Sequence, residues 1–151
     1  MSSDDFVGLH AELTSRIIGV FYAVANELGF GFLESVYRRS MLVALRESGL
    51  KVEEEVPIPV WFHGVIVDTF HAVLVVEGAV VLELKTAEEI TRPFEAQLLH
   101  YLRASEMEVG LVLAFGQRAK FRRLCMTNEV KGSRPTMARS PDPLLSRLDL
   151  S

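Results

Sequence analysis

The sequence has one cysteine, Cys125, and no apolar stretch long enough to cross a membrane. A single cysteine excludes an internal disulfide and a four-thiolate zinc site. The longest apolar runs, such as Val109–Phe115, are far shorter than the ~20 residues that span a bilayer. The first residues, Met1 to Asp5, are polar and acidic, unlike a signal peptide. We therefore expect a soluble, cytoplasmic protein without a membrane partner.

The sequence does have the size and composition of one folded domain. Its 151 residues are 49% hydrophobic and 24% charged, which is typical of globular proteins. Residues 1–130 hold 12 basic and 18 acidic residues, a net charge of −6, whereas residues 131–151 hold four basic and two acidic ones. We predict a single domain over 1–130. The basic, proline- and serine-rich segment 131–151 is predicted to be a disordered tail, either solvated or docked through its last apolar residues.

Apolar periodicity and turn residues divide the domain into helices and strands. The predicted helices are 6–28, 33–48 and 91–105, the last capped by Thr91. The predicted strands are 52–62, 65–76, 80–85, 109–115 and 120–126. Pro57 and Pro59 place the first strand at an edge of the sheet, because proline donates no ladder hydrogen bond. The order ααβββαββ predicts an α/β (α+β) fold, in which helices flank a mixed β-sheet that contains an antiparallel meander.

The segment Glu83-Leu84-Lys85 is the first candidate for chemistry. Alternation puts Glu83 and Lys85 on one face of an otherwise apolar strand. Burial of two charged groups is costly unless they are paired or used. A carboxylate can hold Mg²⁺, and a lysine can activate a water for attack on a phosphodiester. Spacing alone nevertheless favours a plainer interpretation, an ion pair on a solvent-facing strand.

Two helices carry further candidates. Glu34 lies in the first turn of the second helix, where the helix dipole by itself favours a carboxylate. Gln97 and Tyr101 lie one turn apart on the third helix. Tyr101 fits a core position, whereas Gln97, in a mostly apolar stretch, is expected to face a polar group.

Together these segments resemble a known family. The segment Gly31-Phe-Leu-Glu34-Ser-Val-Tyr37 is similar to the motif that names the GxxExxY proteins, and the similarity continues through Glu83-Leu84-Lys85 and the stretch 95–102. That family resembles a compact branch of the PD-(D/E)XK phosphodiesterases. The resemblance implies a restriction-endonuclease-like core over roughly residues 10–126 and metal-dependent hydrolysis of DNA or RNA.

The resemblance also implies roles for individual residues. The implied ligands of Mg²⁺ or Mn²⁺ are Glu83, Glu34 and the backbone carbonyl of Leu84. The implied catalytic set is Glu83, Lys85, Glu34 and Gln97, in which Lys85 is the catalytic lysine and Gln97 supports the site or a phosphate. Gly31 and Tyr37 complete the motif.

One residue of the family pattern is missing. Family members carry a metal-bridging aspartate ten residues before the E-x-K glutamate, and here that position is Val73. If Glu77–Ala79 forms a three-residue hairpin loop, Val73 lies opposite Glu83, whereas a two-residue loop would turn its side chain to the other face. The spacing favours the three-residue loop. Because valine binds no metal, we predict a degenerate site with weak or no hydrolysis.

Two residues near Val73 are candidate replacements for the aspartate. Asp68 points to the opposite face about 16 Å along the strand, which makes it a poor substitute. His71 shares the correct face, but imidazole suits zinc better than magnesium. A surface or phosphate-contacting role is favoured for His71.

Three functional hypotheses remain open at this point. The favoured one is a degenerate nuclease-like protein that binds nucleic acid or protein. The others are an active Mg²⁺-dependent nuclease and a plain interaction domain. Arg118, Lys120 and Arg122 share a face of the last strand, where they either contact phosphates or form a charged edge against aggregation. By analogy with nucleases of this fold, the proline-bearing strand also offers an edge for a homodimer.

Overall fold

The computed structural model describes residues 8–131. In chain order they form helices α1 (Ala11–Leu28) and α2 (Glu34–Glu47), strands β1 (Val52–Phe62), β2 (Val65–Val76) and β3 (Val80–Lys85), helix α3 (Arg92–Ala104), strands β4 (Val109–Ala114) and β5 (Lys120–Cys125), and the short helix α4 (Asn128–Lys131). The order ααβββαββ is confirmed, with α4 added at its end. Most of the predicted tail, from residue 132 onward, lies outside the described residues.

The five strands form one mixed sheet in the order β1-β2-β3-β4-β5. Strands β3 and β4 are parallel, with α3 as their crossover, and the other neighbouring pairs are antiparallel. Strand β1 lies at one edge of the described sheet, as its two prolines predict. Strands β3 and β4 are buried because helices cover both faces of the sheet.

Each face of the sheet has its own apolar core. On one face, Phe21 of α1 and Met41 of α2 pack with Leu82 and Leu84 of β3. On the other face, Leu98 and Leu102 of α3 pack with Val81 and Val112. Since side chains alternate along a strand, Glu83 and Lys85 follow Val81 onto the α3 face.

Strands β1 and β2 change faces midway along their length. Val52 and Leu74 belong to the α1–α2 core, whereas Val56 and Ala72 belong to the α3-side core. Regular alternation would keep these even-numbered residues on one face, so the hairpin twists sharply between them. Glu55 lies at this twist with a φ of 49°, a left-handed conformation that costs a non-glycine residue about 1–2 kcal/mol.

The helix ends differ from the prediction at two helix starts. Helix α1 begins at Ala11, after His10 with a left-handed φ of 54°, and not at residue 6. Helix α1 ends at Gly29, whose φ of 72° suits glycine, as expected. Helix α3 begins after Thr91, but the Thr91 side chain makes no capping hydrogen bond. Pro93 in the first turn lacks an N–H that would otherwise have no helical partner, so the helix start tolerates it. No helix of residues 8–131 combines the length and the apolar character needed to span a membrane.

Lys131, the first residue of the predicted tail, is buried and tied to the domain. Its Nζ donates hydrogen bonds to the carbonyl oxygens of Leu102 at 2.7 Å, Ser105 at 3.0 Å and Met107 at 2.8 Å. These carbonyls lie at and just beyond the C-terminal end of α3, where a positive charge is favoured. Lys131 therefore anchors the chain after β5.

We predict that Lys131→Met lowers the free energy of unfolding by about 2 kcal/mol, because one buried and two partly buried carbonyl groups lose their donor. Urea denaturation followed by circular dichroism measures the change. The matched control is Lys51→Met, since the Lys51 side chain is exposed. Equal stabilities of the two variants would contradict the anchoring role of Lys131.

Candidate active site

Tyr37 holds the loop from which α2 begins. Its side chain is buried, and its hydroxyl donates a 2.7 Å hydrogen bond to the carbonyl oxygen of Gly29. Gly31 in the same loop has a φ of 104°, which side-chain-bearing residues rarely adopt. The glycine and the tyrosine of the G-x-x-E-x-x-Y segment therefore shape the turn. This turn leads directly into α2, whose first residue is Glu34.

The Glu83–Lys85 pair lies inside the protein. Glu83 is only 2% exposed, and its Oε1 is 3.2 Å from Lys85 Nζ. Its other oxygen, Oε2, is buried without a hydrogen-bond partner, a condition that it shares among the described residues only with Arg38 Nε. Lys85 Nζ also lies 5.2 Å from the ring centroid of Phe94, within cation–π range. The interpretation as a solvent-facing ion pair therefore does not hold.

Three carboxylates share one electrostatic neighbourhood. Burial raises the pKa of the Glu83 carboxyl, because the ionised form loses its hydration. The charge and hydrogen bond of Lys85 oppose this rise, whereas the negative charges of Glu34 and Glu55 add to it. A cation at this place would relieve the repulsion. Among residues 8–131, however, no three His, Cys, Asp or Glu side chains are grouped closely enough to form a ready-made metal cage.

Strand β2 stops pairing with strand β3 beside Glu83. Val76 pairs with Val80, so the Glu77–Ala79 connection is the predicted three-residue loop. The ladder ends at the pair Leu74–Leu82, one step before Val73 would meet Glu83. Val73 instead packs against the α1–α2 core. A gap therefore opens in the sheet at the position where the missing aspartate would stand.

The backbone of β3 borders this gap. The Lys85 carbonyl accepts a 2.8 Å hydrogen bond from the Phe115 N–H and so points toward β4. Because carbonyl groups alternate in direction along a strand, the Leu84 carbonyl points toward β2, where pairing has already ended. This oxygen is the backbone ligand that the resemblance implied.

Gln97 reaches the site through Tyr101. Its Nε2 donates a 2.9 Å hydrogen bond to the Tyr101 hydroxyl. Burial raises the pKa of Tyr101, and the negative charge of Glu83 is the second cause. The tyrosine hydroxyl thus lies in the field of Glu83, and Gln97 orients that hydroxyl. The polar group that Gln97 was expected to face is Tyr101.

Two of the three basic residues predicted to contact phosphates form ion pairs with acidic side chains. Lys120 Nζ is 2.7 Å from Glu89, and Arg122 is 3.5 Å from Glu95. Arg118 is exposed in the turn before β5. Exposed pairs of this kind are weak, so a phosphate can displace the acids at little cost.

Sequence reasoning gave no role to Glu55, whose negative charge acts on the Glu83 carboxyl. It considered Asp68 and His71, both of which the structure leaves exposed on β2. The available signal was the run Glu53-Glu54-Glu55 directly before Val56 and Pro57, because glutamate is uncommon in strands. The left-handed backbone of Glu55 has no counterpart in the sequence pattern.

We predict that the double substitution Glu83→Gln/Lys85→Met raises the free energy of unfolding by about 1 kcal/mol in metal-free buffer, because replacement of a buried ion pair by uncharged side chains is often stabilising. Denaturant titration measures it. The exposed pair Glu89→Gln/Lys120→Met is the control and should change stability by less than about 0.5 kcal/mol. A clear loss of stability in the Glu83/Lys85 variant would mean that this pair serves the fold.

The comparisons with known proteins place the chain, rather than individual residues, in a family. No curated protein matches the chain significantly. A solved structure titled "Crystal structure of SSO0001" is 16% identical with a TM-score of 0.44, and the match covers 81% of this chain and 61% of that chain. The present chain thus spans less than two thirds of that structure's length. A family model described as the PD-(D/E)XK nuclease superfamily matches residues 11–124, from α1 into β5. The narrower GxxExxY resemblance stays a prediction, but the protein belongs to the PD-(D/E)XK nuclease superfamily.

Proposed function

We propose that this protein binds nucleic acid through a divalent-ion site centred on Glu83 and hydrolyses phosphodiesters slowly. The supporting observation is the buried, unpartnered Oε2 of Glu83 beside Lys85. Buried polar atoms that serve only the fold are nearly always hydrogen-bonded. A carboxylate that binds a ligand must instead keep one oxygen available.

The donors around Glu83 suit Mg²⁺ or Mn²⁺. These cations prefer carboxylate and carbonyl oxygens, and Glu83, Glu34 and the Leu84 carbonyl supply such oxygens. Mg²⁺ is commonly held by one or two carboxylates together with substrate phosphates, so it does not require a complete protein cage. A bound divalent ion would polarise the phosphate and lower the pKa of a coordinated water.

The remaining groups can position and stabilise the reacting phosphate. Lys85 keeps its ammonium group at the site through Glu83 and the Phe94 ring, and its side chain is 22% exposed, so solvent and substrate can reach it. A fixed positive charge there can orient a water and stabilise the negative charge that develops on the phosphate. Gln97 keeps the Tyr101 hydroxyl in a set orientation.

The slow phosphodiester hydrolysis that we propose follows from the valine at position 73. An aspartate in this position would add a second carboxylate beside Glu83 once its side chain turned from the α1–α2 core toward the gap. Valine leaves the divalent ion with fewer protein ligands, which weakens binding and leaves the phosphate less well placed. The proposal therefore assigns the protein a binding role with residual phosphodiesterase chemistry. Its homodimerisation through the β1 edge stays a prediction.

We predict that Val73→Asp raises Mg²⁺- or Mn²⁺-dependent nicking of DNA or RNA by about a hundredfold over the wild type, the scale of one positioned catalytic interaction. Adding Lys85→Ala to Val73→Asp should abolish that gain, because the ammonium group is removed. Nicking of single- and double-stranded DNA and RNA, resolved on gels, measures both effects.

The outcomes of this assay separate the functional hypotheses. Fast, metal-dependent cutting by the wild type that Glu83→Ala removes would replace the slow-hydrolysis proposal by an active nuclease. If no variant cuts and no divalent ion raises the melting temperature of Val73→Asp, the proposed site is wrong and a plain interaction domain is favoured.

We predict that the basic face of β5 contributes separately to nucleic-acid binding. The plot of log affinity against log salt has a negative slope. The charge reversals Lys120→Glu and Arg122→Glu together should make that slope shallower by about 2, because each removes one phosphate contact. Fluorescence anisotropy at several salt concentrations measures the slope. Arg39→Glu/Arg46→Glu on α2 is a control of equal charge change, and an equal effect of both pairs would indicate a general charge effect.

A further inference from the structure

We propose that Glu55 supplies the second carboxylate of the divalent-ion site, in the role left vacant at Val73. This inference rests on the proposed function, because it concerns the same ion. It differs in naming a ligand from β1, a strand to which neither the motifs nor the family match assigns a site residue.

The register of the sheet brings Glu55 to the gap. Glu54 pairs with Leu74 and Val56 pairs with Ala72, so the register puts Glu55 level with Val73, although these two residues are not themselves paired. Val73 in turn occupies the step that follows the last β2–β3 pair, beside Glu83. Paired neighbouring strands lie about 4.8 Å apart, so Glu55 and Glu83 would be about 10 Å apart in a fully paired sheet, and the end of the β2–β3 ladder widens that separation. Two glutamate side chains that extend toward each other can share one ion across that distance.

The conformation of Glu55 is that of a specialised position. Its φ of 49° is strained for a glutamate, and strained residues cluster at functional sites. The same twist ends the regular alternation of β1 and β2, next to the point where β2 stops pairing with β3. The side chain is 56% exposed, so it is free to change its direction when a ligand enters.

The charges support the same grouping. The negative charge of Glu55 acts on the Glu83 carboxyl and also on the Tyr101 hydroxyl. In the described structure the Glu55 carboxylate is neutralised by Arg38, whose NH1 donates to Glu55 Oε1 at 3.1 Å. Arg38 thus holds the carboxylate at the rim of the site, from which a cation can draw it inward.

Glu83 supplies the independent evidence that a ligand belongs there. Its side chain is 3% exposed, and Oε2 faces no donor. An anionic oxygen buried without a partner is expensive, and neighbouring negative charges increase the cost. A divalent cation satisfies this oxygen and neutralises the repulsion from Glu55 in one step.

The test is a titration of the full-length protein with Mn²⁺, read by electron paramagnetic resonance of free Mn²⁺ and by the shift of melting temperature. We expect Glu55→Gln to weaken Mn²⁺ binding by ten- to a hundredfold, on the order seen when a metal site loses a supporting group. Glu54→Gln is the matched control, since it removes the same charge from the adjacent exposed position of β1 and should keep wild-type affinity.

Arg38→Gln distinguishes a ligand from a structural ion pair. It removes the Arg38–Glu55 contact but keeps the carboxylate, so we expect Mn²⁺ affinity to stay equal or to rise. If Arg38→Gln weakens binding as much as Glu55→Gln does, the carboxylate acts only through its ion pair and the inference is overturned. Melting of the metal-free variants shows that each is folded.

Glu83→Gln separates this inference from the proposed function. If Glu83→Gln abolishes Mn²⁺ binding while Glu55→Gln and Glu54→Gln both keep wild-type affinity, the Glu83 site stands and the role of Glu55 is refuted. If the wild type does not bind Mn²⁺ at all, the proposed function fails and the inference falls with it.

Discussion

Strand β2 leaves strand β3 after the pair Leu74–Leu82, and the candidate site is built in the gap that results. In an uninterrupted sheet the Leu84 carbonyl would be consumed by a ladder hydrogen bond, and apolar neighbours would cover Glu83 from both sides. The early end of the ladder frees an oxygen of the backbone next to a buried carboxylate. The parallel β3–β4 pairing continues through Lys85, so the gap has one rigid wall.

The sequence was sufficient for elements that local patterns control. The bounds of β1, β2 and β3 follow from alternation and from the turns at His63-Gly64 and Glu77–Ala79, which also set the β2–β3 register. The Glu83–Lys85 contact follows from a period of two. Patterns of this kind need only a few neighbouring residues, and for that reason they can be predicted before any packing is known.

What the sequence did not reveal depends on packing between distant segments. The change of face in β1 and β2 arises where a long hairpin passes from one core to the other, and no residue type in either strand predicts that change. Sequence reasoning therefore gave Glu55 no role. Lys131 was grouped with the tail on composition, although its partners Leu102 and Met107 are more than twenty positions away.

Tyr37 and Gly31 shape a turn, whereas only Glu34 of their shared motif lies near the other acids. Selection for that loop and selection for chemistry can thus act on different positions. A sequence that carries G-x-x-E-x-x-Y should be expected to build the turn whether or not it cuts nucleic acid. Genome surveys would learn more if they inspected positions 73 and 55 together and asked whether either one holds an acidic residue. Chains with an acidic residue at neither position would be expected to have lost divalent-ion binding.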